Sequence, residues 1–149
     1  MVEIELIKQL REETDVSLAE CKKALEEAGG DIEKAKEVLR KRGRELAEKK
    51  QDRETHEGLV EAYTHGNGKI GVLVELRCET DFVAKAEAFK GLAHEIALQI
   101  SATNPETVED LLSQEYIRDE GKKVADLVSD AVAKLGEKIV VSQFTRFQI

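Results

Sequence analysis

Between Lys69 and Ile100 the apolar residues change their period once, and the change falls on an acidic turn. Ile70, Val72, Val74, Leu76 and Cys78 alternate with Gly71, Leu73, Glu75 and Arg77, which places one apolar face of a strand against a core. From Phe82 the spacing is helical. Phe82, Ala86, Phe89, Ala93, Ile96 and Ile100 share one stripe, predicting a helix from Phe82 to about Thr103 with Thr80 or Asp81 as its N-cap. Asn104-Pro105 then breaks it. On pattern alone Phe82 is the first core residue of that helix and Asp81 its cap; the competing reading presents both to a partner.

The strand needs a neighbour. Gly58 opens an earlier strand that runs to His65, Gly66-Asn67-Gly68 supplies turn residues able to take positive φ, and Lys69 to Glu79 returns antiparallel. The following helix covers the apolar face of this hairpin. Val124, Leu127, Val128, Ala131 and Leu135 outline a further amphipathic helix, and the β-branched and aromatic segment from Gly136-Glu-Lys-Ile139 to Phe147 reads as a last strand. Hairpin, helices and last strand make an α+β core.

Ahead of the hairpin the pattern is helical. Ile4, Leu6, Ile7 and Leu10 outline a first helix that Thr14-Asp15-Val16 ends. Ser17-Leu-Ala-Glu20 is a capping box for a second, whose buried face is Leu18, Cys21, Ala24, Leu25 and Ala28. Gly29-Gly30 stops it, and Asp31 caps a third helix carrying Ile32, Ala35, Val38 and Leu39, with Gly43 as its expected end. Residues 44–57 are too charged for a core helix and read as an exposed tether, helical or extended. The expected units are a three-helix domain at 1–43, a linker at 44–57 and a core at 58–149.

A net charge of −8 argues against phosphate-backbone binding as the main activity, so no direct nucleic-acid partner is expected. Lys34, Lys36, Arg40, Lys41, Arg42, Arg44, Lys49, Lys50 and Arg53 form a local basic run, either a solvated face or a handle for an acidic protein surface. No apolar run is long enough to cross a bilayer, and Met1-Val-Glu-Ile-Glu lacks the features of a signal peptide, so a cytoplasmic protein without membrane attachment is expected. Cys21 and Cys78 fall on apolar faces with no His at ligand spacing, which predicts reduced, buried thiols and no metal. His56, His65 and His94 lie beside no nucleophile motif, and no phosphate-binding glycine loop occurs. The expectation is a protein without a catalytic residue or cofactor; a thiol site at Cys78 with Asp81 and His65 is the enzymatic alternative.

Glu79-Thr80-Asp81-Phe82-Val83-Ala84-Lys85 closely resembles a signature of the elongation factor Ts family, and it is joined by Ala62-Tyr63-Thr64-His65, by Gly68-Lys69-Ile70-Gly71-Val72-Leu73-Val74-Glu75 and by the closing Gly136-Glu-Lys-Ile139 with Arg146-Phe147. Arg11-Glu-Glu-Thr14, Cys21-Lys-Lys-Ala-Leu25 and Gly30-Asp31 through Gly43 resemble the family's ubiquitin-associated-like first domain. The chain departs from the family at Asp15, Ser17, Leu18 and Ala19, where glycines and methionines are usual, followed by Glu20 in place of the usual Asp, and it lacks the insertion that commonly follows Pro105. The resemblance implies guanine-nucleotide exchange on elongation factor Tu in protein biosynthesis. It implies that Phe82, with Asp81 beside it and Thr80 and Val83 around it, inserts between helices of the GTPase domain and disturbs the magnesium and phosphate sites. Arg11, Leu18, Ala19, Lys50 and His65 match further contact positions. A single core copy also suggests self-association through the exposed side of the sheet. An adaptor that binds a helical partner through the first domain, without exchange activity, is the alternative function.

Overall fold

A computed structural model describes residues 2–149. Three helices come first: α1 (Ile4–Thr14), α2 (Leu18–Glu27) and α3 (Ile32–Lys49). The hairpin β1 (Glu57–His65) and β2 (Ile70–Cys78) follows, then a single turn, α4 (Asp81–Ala84), and the long α5 (Glu87–Thr103). After α5 come α6 (Val108–Ser113), a small hairpin of β3 (Glu115–Tyr116) and β4 (Asp119–Lys123), α7 (Val124–Leu135) and β5 (Val140–Gln148). The fold is α+β. Its main sheet is antiparallel with order β1-β2-β5, so β2 is the central strand.

Two apolar clusters hold the chain. Leu10, Cys21, Ala24, Leu25 and Ala35 close the N-terminal bundle. The second is built from the inward face of β2 (Val72, Val74, Leu76, Cys78), from Phe89, Ala93, Ile96, Ala97 and Ile100 of α5, and from Val124 and Val132 of α7. Fully burying a Val, Leu, Ile or Phe side chain such as Leu10, Leu76 or Phe89 stabilises by about 1.5–3 kcal/mol relative to exposure, so both faces are committed to the interior. The opposite face of the sheet leaves Val60, Leu73 and Phe147 exposed.

Three local expectations are corrected. The Ser17 hydroxyl caps α2 by accepting from the Glu20 N–H at 3.3 Å, but the return half of the box is missing because the Glu20 carboxylate turns to Arg42. Leu18 is 46% exposed and stands outside the bundle core. Gly43 does not end α3. A Cβ at this buried position would meet the Ser129 carbonyl oxygen at 3.2 Å and the Ala133 Cβ at 3.5 Å, so the absent side chain lets α3 lie close along α7. The helix continues to Lys49 and packs Leu46 and Ala47 against the second core. A mid-helix glycine costs about 1 kcal/mol against alanine; packing offsets it here.

An ion pair fastens the same junction. Arg44 reaches Asp126 with Nε at 2.9 Å and Nη2 at 2.8 Å, and Asp126 is only 7% exposed. Burial alone would raise the Asp126 carboxyl, but the Lys123 backbone N–H and the Arg44 guanidinium outweigh it and hold the group below its ordinary value. The last strand also starts later than its composition suggests. Gly136 ends α7 in the left-handed region at φ 76°, and residues 137–139 form a connecting loop before β5.

Candidate partner-binding site

The stripe from Phe82 to Ile100 is not one helix. Lys85 closes α4, and Ala86 takes φ −69°, ψ 141°, an extended conformation that starts α5 afresh at Glu87. This single extended residue decides the fate of Phe82. Phe89 stays inside at 0% exposure, whereas Phe82 is 83% exposed. Phe82 is therefore not a core residue. Val83 and Ala84 are the buried members of α4 and anchor it to the sheet core.

The cap of α4 is Thr80, not Asp81. Its hydroxyl oxygen accepts from the Val83 N–H at 3.3 Å. Asp81 occupies the first helical position, exposed, with Lys85 at 3.6 Å one turn on. A carboxylate there complements the helix dipole, but the exposed pair adds little stability. Its side chain remains available to an incoming group.

A dense set of bonds holds the base of this turn. Glu137 Oε1 accepts from the backbone N–H of Glu79 (3.1 Å) and of Thr80 (3.0 Å), and its Oε2 accepts from the Thr80 hydroxyl at 2.7 Å. Glu79 answers in the other direction: its carboxylate accepts from the Lys138 N–H at 2.8 Å and from Arg53 Nη1 at 3.3 Å. Lys138 Nζ in turn donates to the Gln51 carbonyl. Cys78 beneath the turn is fully buried and donates to the Thr80 carbonyl at 3.1 Å. Burial, followed by the Glu137 charge, pushes its thiol up to about 11, so it is not poised as a nucleophile near neutral pH.

The other candidates fall into two places. Arg11, Leu18 and Ala19 are exposed on the N-terminal bundle, and Asp15 in the loop between them pairs with Lys134 in the last turn of α7 at 3.1 Å. Lys50 caps the C-terminal end of α3, next to the Gln51 carbonyl that Lys138 holds. Through Asp15 and the Gln51 carbonyl, the bundle and the end of α3 each reach the last turn of α7 or the loop after it, where Glu137 holds the Thr80 turn. His65 lies apart. It pairs with Ile70 at the tip of the hairpin, while the Phe82 turn follows Cys78 at the other end of the same strands, about 25 Å away at strand rise. There Tyr63 shares a hydrogen bond of 2.9 Å with His65 Nδ1. Glu137 was not among the expected site residues. Its signal was present in the Gly136-Glu-Lys-Ile139 string, which reads locally as the start of a strand.

The turn thus carries an exposed aromatic, Phe82, beside an exposed carboxylate, Asp81, on an α+β fold. The model of the family described as Elongation factor TS matches residues 79–149. Elongation factor Ts of Coprothermobacter proteolyticus is 44% identical over 97% of this chain and 96% of the relative. The proteins of that name from Thermotoga petrophila (43% identical, 99% and 96% covered) and Caldanaerobacter subterraneus subsp. tengcongensis (42%, 99% and 96%) are similar to it across the same extent. The chain belongs to the elongation factor Ts family. The aligned span of 189 positions with the first of these exceeds the 149 residues here, so that relative carries residues with no counterpart in this chain.

Proposed function

We propose that this chain is a guanine-nucleotide exchange factor for elongation factor Tu and acts in translation elongation in the cytoplasm without a catalytic residue, metal or cofactor of its own. The observation that carries the reading is Phe82, exposed at 83% on a turn whose neighbours are buried or bonded. An aromatic anchor filling a pocket contributes about 2 kcal/mol or more to binding. Inserted between helices of the GTPase domain with Asp81 at its side, Phe82 disturbs the magnesium and phosphate sites, while Thr80 and Val83 hold the wedge. The factor then binds the nucleotide-free GTPase more tightly than the loaded form, and bound nucleotide weakens the factor by the same ratio.

Arg11, Leu18, Ala19 and Lys50 supply further contacts from the bundle and the end of α3, and His65 a separate one at the hairpin tip. The exposed, apolar Leu18 supports a docking role for the bundle. A division into bundle and sheet core belongs to the same proposal, since each buries an apolar cluster of its own, but the expected tether at 44–57 is reduced to 50–56, because α3 runs through 44–49 and packs Leu46 and Ala47 on the second core. Self-association through the open sheet face at Val60, Leu73 and Phe147 completes it; light scattering at high concentration tests that part, and a monomer mass removes it. Neither nucleic acid nor membrane enters the mechanism, and no helix among the described residues is long and apolar enough to cross a membrane.

The test is release of a fluorescent GDP from loaded elongation factor Tu on mixing with this protein. Faster release, saturating with factor concentration, is expected. Binding without faster release leaves the adaptor reading, and no effect at any concentration removes both.

A further inference from the structure

We infer that Glu137 is a positioning residue for the Phe82 wedge: its carboxylate, through the Thr80 hydroxyl, sets the direction in which α4 leaves the sheet. The inference rests on the exchange reading above and deepens it.

A helix of four residues has too few bonds to hold its own direction. Outside contacts must supply it. On the inner side Val83 and Ala84 are buried, but they leave the entry to the turn to be fixed by polar groups. Both N–H groups at that entry, Glu79 and Thr80, point at one oxygen of Glu137. The second oxygen takes the Thr80 O–H at 2.7 Å, which leaves the hydroxyl oxygen's lone pairs to accept from Val83. The hydroxyl therefore has one orientation that serves both partners. Hydrogen bonds to a carboxylate are the strong kind, and three of them on one side chain make a rigid joint.

The joint is fixed from its other side as well. Glu79 returns a bond to the Lys138 N–H, so residues 79–80 and 137–138 each cap the other's backbone. Through Arg53 and the Gln51 carbonyl, the same loop holds the segment that follows α3 and Lys50. Glu137 thus stands where the wedge, the end of the basic helix and the C-terminus of α7 meet. It touches no reacting atom in the proposed mechanism; it acts through Thr80.

The test compares the full chain with Glu137→Ala, Glu137→Gln, Phe82→Ala and the Glu137→Ala, Phe82→Ala double variant. Each is checked by a denaturant melt, by GDP release from elongation factor Tu, and by amide hydrogen exchange. Folded Glu137→Ala is expected to slow stimulated release by about 10-fold or more, as misplacement of a rigid group does. Its Val83 amide should exchange faster while amides of α1–α3 keep their protection. Glu137→Gln keeps one acceptor oxygen for the two N–H groups but sets an amide donor where Oε2 accepted from the Thr80 hydroxyl, so it should lose less of the rate than Glu137→Ala while its Val83 amide still exchanges faster than the parent's. In the Phe82→Ala background, removing Glu137 should change release by less than about 2-fold, because there is no wedge left to aim. Release by folded Glu137→Ala within about 2-fold of the parent, an unchanged Val83 amide, or an equal loss in the Phe82→Ala background overturns the inference. If Glu137→Ala does not fold, the Val83 amide of Glu137→Gln decides: faster exchange there supports the joint, and an unchanged amide overturns it. Normal release by Phe82→Ala alone would instead sink the exchange reading, and the Val83 amide would still decide whether Glu137 holds the turn.

Discussion

Phe82 and Phe89 lie on one helical stripe in the sequence, two turns apart, and the protein treats them in opposite ways. Phe89 is sealed between α5 and the sheet, and Phe82 points to solvent. The hydrophobicity of the two side chains is the same, so the difference lies in the backbone. Ala86 is extended, and the two halves of the stripe no longer share an axis. A periodic pattern identifies residues that could share a face; whether they do depends on the continuity of the helix between them.

Phe89→Ala sharpens the contrast most. Truncating a fully buried phenylalanine is expected to destabilise the fold by about 3–5 kcal/mol in a urea melt. A loss below about 1 kcal/mol would mean that α5 packs differently from the description above.

The Arg44–Asp126 pair joins a buried carboxylate to a guanidinium that stays largely exposed, and Asp126→Asn is expected to cost about 1–3 kcal/mol. Its pH dependence has a definite sign. The folded Asp126 carboxyl is held below its ordinary value of 3.8, so the stability it contributes is present in full above about pH 4 and lost as pH falls toward the lowered folded value. Melts of parent and Asp126→Asn should therefore differ at pH 7 and converge in acid. A gap that widens on acidification would contradict the assigned shift.

On the Phe82 side, Thr80→Ala removes a cap and should cost about 1 kcal/mol of stability. Amide exchange should show the loss in residues 81–84 and leave α5 protected, since α5 has its own start at Glu87. Loss of protection along both would mean that α4 and α5 behave as one helix after all.

The smallest effect concerns salt. Of the basic run, Lys36 pairs with Glu13, Arg42 with Glu20 and Glu27, Arg44 with Asp126 and Arg53 with Glu79. Steering is left to Lys34, Arg40, Lys41, Lys49 and Lys50, so association with elongation factor Tu should slow only a few-fold as ionic strength rises. Stopped-flow binding with no salt dependence would return these residues to a solvated face.

Much of this architecture was legible from local rules. Alternation placed β1 and β2 within a residue of their observed ends, and Asp31 and Asn104 mark helix ends as their side chains and conformations require. What was not legible depended on distant partners. Gly43 looks like a stop, and only the approach of Ser129 explains why a glycine sits inside α3. Glu20 fits a capping box until Arg42 competes for it. Residues 106–123 carry weak signals, and the β3–β4 hairpin there is pinned by the buried Gln99, which donates to Gln114 and the Glu115 carbonyl and accepts from the Ile117 N–H. In the candidate site, Asp81 and Phe82 stand out from their own string, whereas the string around Glu137 reads only as the start of a strand, and its role depends on Glu79 and Thr80 across the fold.

The central claim is that Phe82 is held outward for a partner and contributes nothing to the core. Its most direct test measures stability and GDP release from elongation factor Tu on the same sample of Phe82→Ala. The expected result is a melt within about 0.5 kcal/mol of the parent, as for an exposed side chain, together with a loss of about 2 kcal/mol or more in interaction with the GTPase, seen as stimulated release slower by well over 10-fold. A destabilisation of about 3–5 kcal/mol, or a folded variant that releases nucleotide at the parent's rate, would contradict it.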